Sequence, residues 1–108
     1  MQTTKINIVQ NDKGYDLNFT LQDNAGNAVN ITGATLAFKV QKENGIALKF
    51  TGSMAIVSAA AGTCKYTVQT GDFDEAGRYD AEIELTLGAE IITYPGIKIE
   101  VSPELPKS

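Results

Sequence analysis

From Tyr79 to Leu87 the chain alternates without interruption. Tyr79, Ala81, Ile83, Leu85 and Leu87 are apolar, and Asp80, Glu82, Glu84 and Thr86 between them are polar. Successive side chains of a strand point to opposite faces, so this run buries one face and wets the other. The same grammar recurs upstream. Tyr15–Gln22 turns Tyr15, Leu17, Phe19 and Leu21 inward, Ala34–Gln41 turns Leu36, Phe38 and Val40 inward, and Thr63–Gln69 turns Cys64, Tyr66 and Val68 inward. Each is a half-buried strand that needs a second layer over its apolar side.

Turn chemistry separates these runs. Lys5–Gln10 is a first short strand ended by Asn11-Asp12-Lys13-Gly14, residue types that tolerate turn geometry. Asp23-Asn24-Ala25-Gly26-Asn27 is a loop, followed by a short extended piece at Val29 and Ile31. Asn44-Gly45 is a strong hairpin signal leading into the alternating Ile46, Leu48 and Phe50. Met54–Ala61 is apolar and alanine-rich, but short and ended by Gly62, which favours an edge strand over a helical turn. Gly88-Ala89 closes a tight hairpin into Glu90–Val101. Pro95-Gly96 interrupts that last strand and marks an edge or a bulge, because proline donates no ladder bond. Eight or nine short strands at this spacing, with no amphipathic helix, predict an all-β sandwich of antiparallel sheets.

Composition narrows the function classes. At 108 residues the chain fits one domain, expected over 1–101, with 102–108 a C-terminal linker or tail containing two prolines. The net charge of −4 and the lack of a basic cluster argue against nucleic acid as a partner. No run reaches the roughly 20 apolar residues of a membrane span, and the N-terminus does not read as a signal peptide. Cys64 is the single cysteine, so no intrachain disulfide forms; with no histidine in the chain it also lacks the usual activating base.

Two resemblances follow from particular residues. The spacing Glu75-x-Gly77-x-Tyr79-x-Ala81 resembles the corner into strand F of an immunoglobulin-like domain, where a tyrosine hydroxyl bonds back to the corner backbone two residues before a core cysteine. Ala81 stands at that cysteine position, so the resemblance implies an Ig-like sandwich of seven to nine strands without its disulfide, with Gly77 and Tyr79 as its structural corner. The stretch from Phe19 to Val40, with Asp23-x-x-Gly26, then Val29-Asn30-Ile31-Thr32-Gly33, then Thr35-Leu36-Ala37-Phe38-Lys39-Val40, is similar to the opening of phage baseplate upper proteins and related tail and prophage domains. That resemblance implies a non-enzymatic virion structural module. It would assemble into a tail or baseplate in the bacterial cytoplasm, contact other virion proteins or copies of itself, and anchor a receptor-binding piece. The alternative is an Ig-like adhesion or glycan-binding domain of a bacterial surface protein, with a host surface glycan as partner.

Few residues compete as a chemical site, and none implies a cofactor. Asp72, Asp74 and Glu75 crowd one corner loop and are weak candidates for calcium, whose ligands are oxygens; the competing reading is a solvated, capped corner. Asp80, Glu82 and Glu84 share one strand face and read as its wet side, paired across strands with Arg78 or Lys98 rather than as a general acid and base. Asn18-Phe19-Thr20 and Asn30-Ile31-Thr32 match the glycosylation pattern, read as chance without a signal peptide. There is no tryptophan for sugar stacking. Tyr94, beside Pro95-Gly96, is the one expected exposed aromatic contact.

Overall fold

The computed structural model describes residues 4–23, 25–43, 45 and 48–103. These residues contain eight strands and no helix: β1 (Thr4–Val9), β2 (Asp16–Thr20), β3 (Thr35–Lys42), β4 (Leu48–Ser53), β5 (Ala55–Ser58), β6 (Thr63–Thr67), β7 (Gly77–Leu87) and β8 (Glu90–Ser102). They form a five-stranded sheet in the order β1-β8-β7-β3-β4 and a three-stranded sheet in the order β2-β6-β5. The larger sheet has the order of an immunoglobulin CFG sheet with an added C′ strand, and the smaller one matches its B, E and D strands. The chain is an all-β sandwich with no disulfide among the described residues.

Alternation sorts the side chains between core and solvent. Tyr79, Ala81, Ile83 and Leu85 of β7 are buried, as are Leu36, Phe38 and Val40 of β3, and the smaller sheet answers with Leu17, Phe19, Cys64 and Tyr66. Ala81 lies across from Val40 on one side and Ile97 on the other, so two larger neighbours fill the space that its single methyl leaves. An unbroken path of ring contacts threads the interior, from Phe19 to Phe38, Tyr66, Phe50, Phe73 and Tyr79, with centroids 5.1–5.8 Å apart. Rings at that spacing in tilted, stacked and edge-on arrangements add to plain burial. Gly52 of β4 is fixed by this path, because a Cβ there would lie 2.2 Å from the Tyr66 ring.

Several elements differ from expectation for identifiable reasons. β1 pairs with β8 in parallel, Thr4 opposite Ile97 through Val9 opposite Ser102, where an antiparallel sheet was expected. Strands some 90 positions apart share no tight turn, so nothing forces the antiparallel sense that hairpins impose. The chain then crosses from β1 to the smaller sheet around Asn11, whose φ is +68°. Val29 and Ile31 form no strand; Gln22 and Ala28 make one isolated bridge, and Ile31 is fully buried as a plug under the loop. Met54–Ala61 yields strand only at Ala55–Ser58, an edge of the smaller sheet. Ser102, expected in the linker, continues β8, and its carbonyl accepts the Gln10 N–H at 2.9 Å. Asn44, Ile46, the Leu48 side chain and the tail beyond Pro103 fall outside what is described.

Pro95-Gly96 is a bulge. Ala81 pairs with Ile97 but Ile83 pairs with Tyr94, so β8 carries one extra residue there, with Gly96 at φ +89°. A bulge of one residue exchanges the two faces of everything beyond it. The N-terminal half of β8 therefore presents the opposite set of side chains from the one a continuous ladder would present.

Candidate functional site

The corner between β6 and β7 is held by its own residues and by the turn that follows β1. The Tyr79 hydroxyl, at the buried start of β7, donates to the Glu75 carbonyl at 2.7 Å. The Asn11 N–H donates to the Phe73 carbonyl at 2.9 Å, and Gln10 Nε2 donates to the Asp74 carbonyl at 2.9 Å. Gly77 leads into β7 at φ +140°, a backbone angle that side chains disfavour. Burial pushes the Tyr79 phenol above its ordinary range.

The three corner carboxylates turn to three different places. Asp72 Oδ2 accepts the Tyr66 hydroxyl and the Gln69 N–H. Asp74 pairs with Lys49 at 2.7 Å, and Glu75 pairs with Lys42. On a turn, consecutive side chains fan outward, so neighbours in sequence do not converge. Among the described residues no three acidic, cysteine or histidine side chains come together to hold a metal, and the calcium candidates Asp72, Asp74 and Glu75 act as turn and ion-pair groups. The Lys49 hydrogen bond holds the Asp74 carboxyl below its usual value. Burial first, then the Asp72 bond, push the Tyr66 phenol far up. Cys64 is completely buried, and desolvation alone raises its thiol to about 11, away from thiolate chemistry.

The outer face of the larger sheet is a charged lattice. Asp80 pairs with Lys98, its direct cross-strand neighbour, at 2.6 Å, and Lys39 reaches diagonally to Glu84 at 2.8 Å. A shallow recess of about 190 Å³ lies over the bulge between Lys39, Glu82, Pro95 and Lys98. It is an open depression, unlike the enclosed apolar pockets that take small ligands.

Tyr94 departs from its expected role. It is half-buried and packs against the core, opposite Ile83 on the inward face. The cause is the bulge: in a continuous ladder Tyr94 would oppose Glu84 and point outward. Burial also raises its phenol. The aromatic expected as an exposed contact is therefore laid over the core.

The exposed large apolar residues lie at strand ends and edges. Val57 of β5 is 58% exposed and Ile91 of β8 is 65% exposed, with Leu87, Ile92, Val9 and Ile56 at about 40%. Leu87, Ile91 and Ile92 together form the tip of the β7–β8 hairpin, where Leu87 also leans on the Gly33 turn. Sequence reasoning missed this tip. The signal was the doublet Ile91-Ile92, because adjacent large apolar residues in a strand put one on each face.

A family model described as the BppU N-terminal domain, from phage baseplate upper proteins, matches residues 1–108. The chain belongs to the BppU N-terminal domain family. The family is a phage baseplate structural domain, so other virion proteins are its partners as a class and the virion is its setting. No curated protein matches the chain. The residues that carried the BppU likeness do structural work. Asp23 Oδ1 accepts the N–H groups of Ala25 and Asn27 around Gly26, and Asn30 Oδ1 accepts the Thr32 N–H and hydroxyl before Gly33 reverses the chain at φ +80°.

Proposed function

We propose that this BppU N-terminal domain is a non-enzymatic connector of the phage baseplate. It joins copies of itself or other tail proteins through its sheet edges and loops and helps anchor a receptor-binding component. In this reading residues 1–101 act as one module and the residues after β8 lead to what it carries. One observation supports the reading above the others: polar groups of the core, corner and outer face are largely bonded within the domain, while exposed apolar side chains gather at strand edges and at one hairpin tip. Apolar residues grouped in that way mark protein contacts.

The test is co-expression with the other baseplate proteins of the same phage, followed by affinity capture of the domain. Stoichiometric co-purification of a tail component is the expected result. A domain recovered alone, across all of those components, would remove the connector role.

A further inference from the structure

We infer that the free edge of β8 pairs with the same edge of a second copy, antiparallel and centred on Ile92. This deepens the connector reading and rests on it. Among the described residues β1 covers β8 only from Ile97 onward, so Glu90–Gly96 has β7 on one side and no strand on the other. The remaining edges are blunted in the ways soluble sheets blunt them. β5 is broken by a bulge between Ile56 and Ser58, while β1, β2 and β4 carry Lys5, Asp16 and Lys49. Ile91-Ile92-Thr93-Tyr94 holds no charge, and each of its residues has high strand propensity.

The backbone fixes what such an edge accepts. Gly88 and Ala89 form a two-residue turn with only Gly88 at positive φ, the type II′ pattern. The pair flanking it, Leu87 and Glu90, is hydrogen-bonded in both directions, and bonding alternates from there. Glu90, Ile92 and Tyr94 therefore turn their backbone groups to β7. Ile91 and Thr93 turn theirs away, and the ligand they specify is another extended backbone.

Self-pairing satisfies both copies at once. Centred on Ile92, it places Ile91 opposite Thr93 of the second copy and the reverse, matching outward donors to outward acceptors. Ile92 meets its own counterpart on the two-fold axis, as an isologous contact requires. Glu90 falls opposite Tyr94, so no like charges meet. Pro95, which lacks an N–H, falls opposite the Ala89 turn, where no ladder bond is due. Three or four residues from each copy bury far less than the roughly 1,000 Å² of a stable dimer, so the contact is weak, with an expected Kd on the order of 0.1–1 mM. A contact that weak forms where an assembly already holds copies close together.

Sedimentation velocity, from about tenfold below to tenfold above that Kd, decides the matter. The wild-type weight-average mass should climb from monomer toward dimer. Ile91→Lys and Thr93→Pro should remain monomeric with an unchanged Tm, since the Thr93 N–H makes no bond to β7, and Val57→Lys on the other edge should associate like wild type. If Thr93→Pro fails to fold, Ile91→Lys decides alone. The Ile91 and Thr93 amides should also gain exchange protection as concentration rises. A wild type monomeric throughout, association surviving in Ile91→Lys, or equal loss in Val57→Lys overturns the proposal. A wild type that stays monomeric yet captures a baseplate protein defeats edge pairing and leaves the connector role; self-association without any capture does the reverse.

Discussion

At its Gly77 end, β7 enters the core beneath a corner tied by hydrogen bonds and ion pairs. Tyr79 reaches the Glu75 carbonyl, Phe73 packs edge-on against Tyr79, and Asp74 and Glu75 each hold a lysine. At its Leu87 end the same strand runs past the first residue of β3, Thr35 opposite Thr86, and finishes in a hairpin of exposed apolar side chains, on an edge with no partner strand among the described residues. One strand thus has an end locked by the corner and an end that leaves apolar surface exposed. The contrast predicts that substitutions at the corner are read in stability and substitutions at the tip in association.

The largest effect belongs to Phe73→Ala. Phe73 is 1% exposed and touches both Phe50 and Tyr79, so truncation opens a cavity where the ring path meets the corner. Urea denaturation should show a loss of about 3–5 kcal/mol. A loss under about 1 kcal/mol would mean that the corner collapses freely around the gap, and the contrast with the tip would fade.

Alkali should also act mainly at the corner. All four tyrosines have raised phenol values, each chiefly through burial, and the charges around Tyr15, Tyr66 and Tyr79 include Asp72, Asp74 or Glu75. A value raised in the folded state means that the unfolded chain releases its proton first. The associated stability is complete below the unfolded value of about 10 and declines as pH rises through the folded values. Tm should therefore fall above about pH 10, with tyrosinate absorbance appearing together with unfolding. Half-maximal tyrosinate absorbance in a folded protein near pH 10 would show these rings to be solvated.

Two tyrosine-to-phenylalanine changes probe the corner on a finer scale. Tyr79→Phe leaves the Glu75 carbonyl without its donor beside the core and should cost about 1–2 kcal/mol. Tyr15→Phe removes a buried hydroxyl that has no bonding partner among the described residues, so it should be neutral or slightly stabilising. Equal losses in the two variants, measured by thermal melts, would mean that the Tyr79 bond adds nothing beyond the ring.

How much of this was legible in the sequence depends on the range of the interaction involved. Period-two alternation over Tyr79–Leu87 located β7 to within two residues of its start, because a strand covered on one face writes its pattern locally. The Glu75-x-Gly77-x-Tyr79 spacing was legible for the same reason, since donor and acceptor lie four residues apart. Pro95-Gly96 was recognisable as an edge or bulge, and it is both: a bulge lying on the stretch of β8 that β1 does not cover. Its consequence was not legible. Tyr94 turns inward because of the register against Ile83, a relation between distant strands, and the parallel pairing of β1 with β8 is equally non-local. The corner carboxylates, weak calcium candidates beside the reading of a capped corner, lie close in sequence but diverge in space, because consecutive side chains on a turn do not converge.

The smallest expected effect tests the other half of the contrast. Ile91 stands opposite Thr86 on the outer face, 65% exposed, level with the first residue of β3. Ile91→Thr keeps a β-branched side chain and so preserves strand propensity, but removes most of the apolar surface at that position. Because water already reaches the side chain, little burial is lost, and stability should stay within about 0.5 kcal/mol of wild type. A Tm lowered as far as in Tyr79→Phe would show that Ile91 is packed within the monomer, so the tip would belong to the fold as fully as the corner does. An unchanged Tm with weaker association at high concentration is the combination that separates the two ends of the strand.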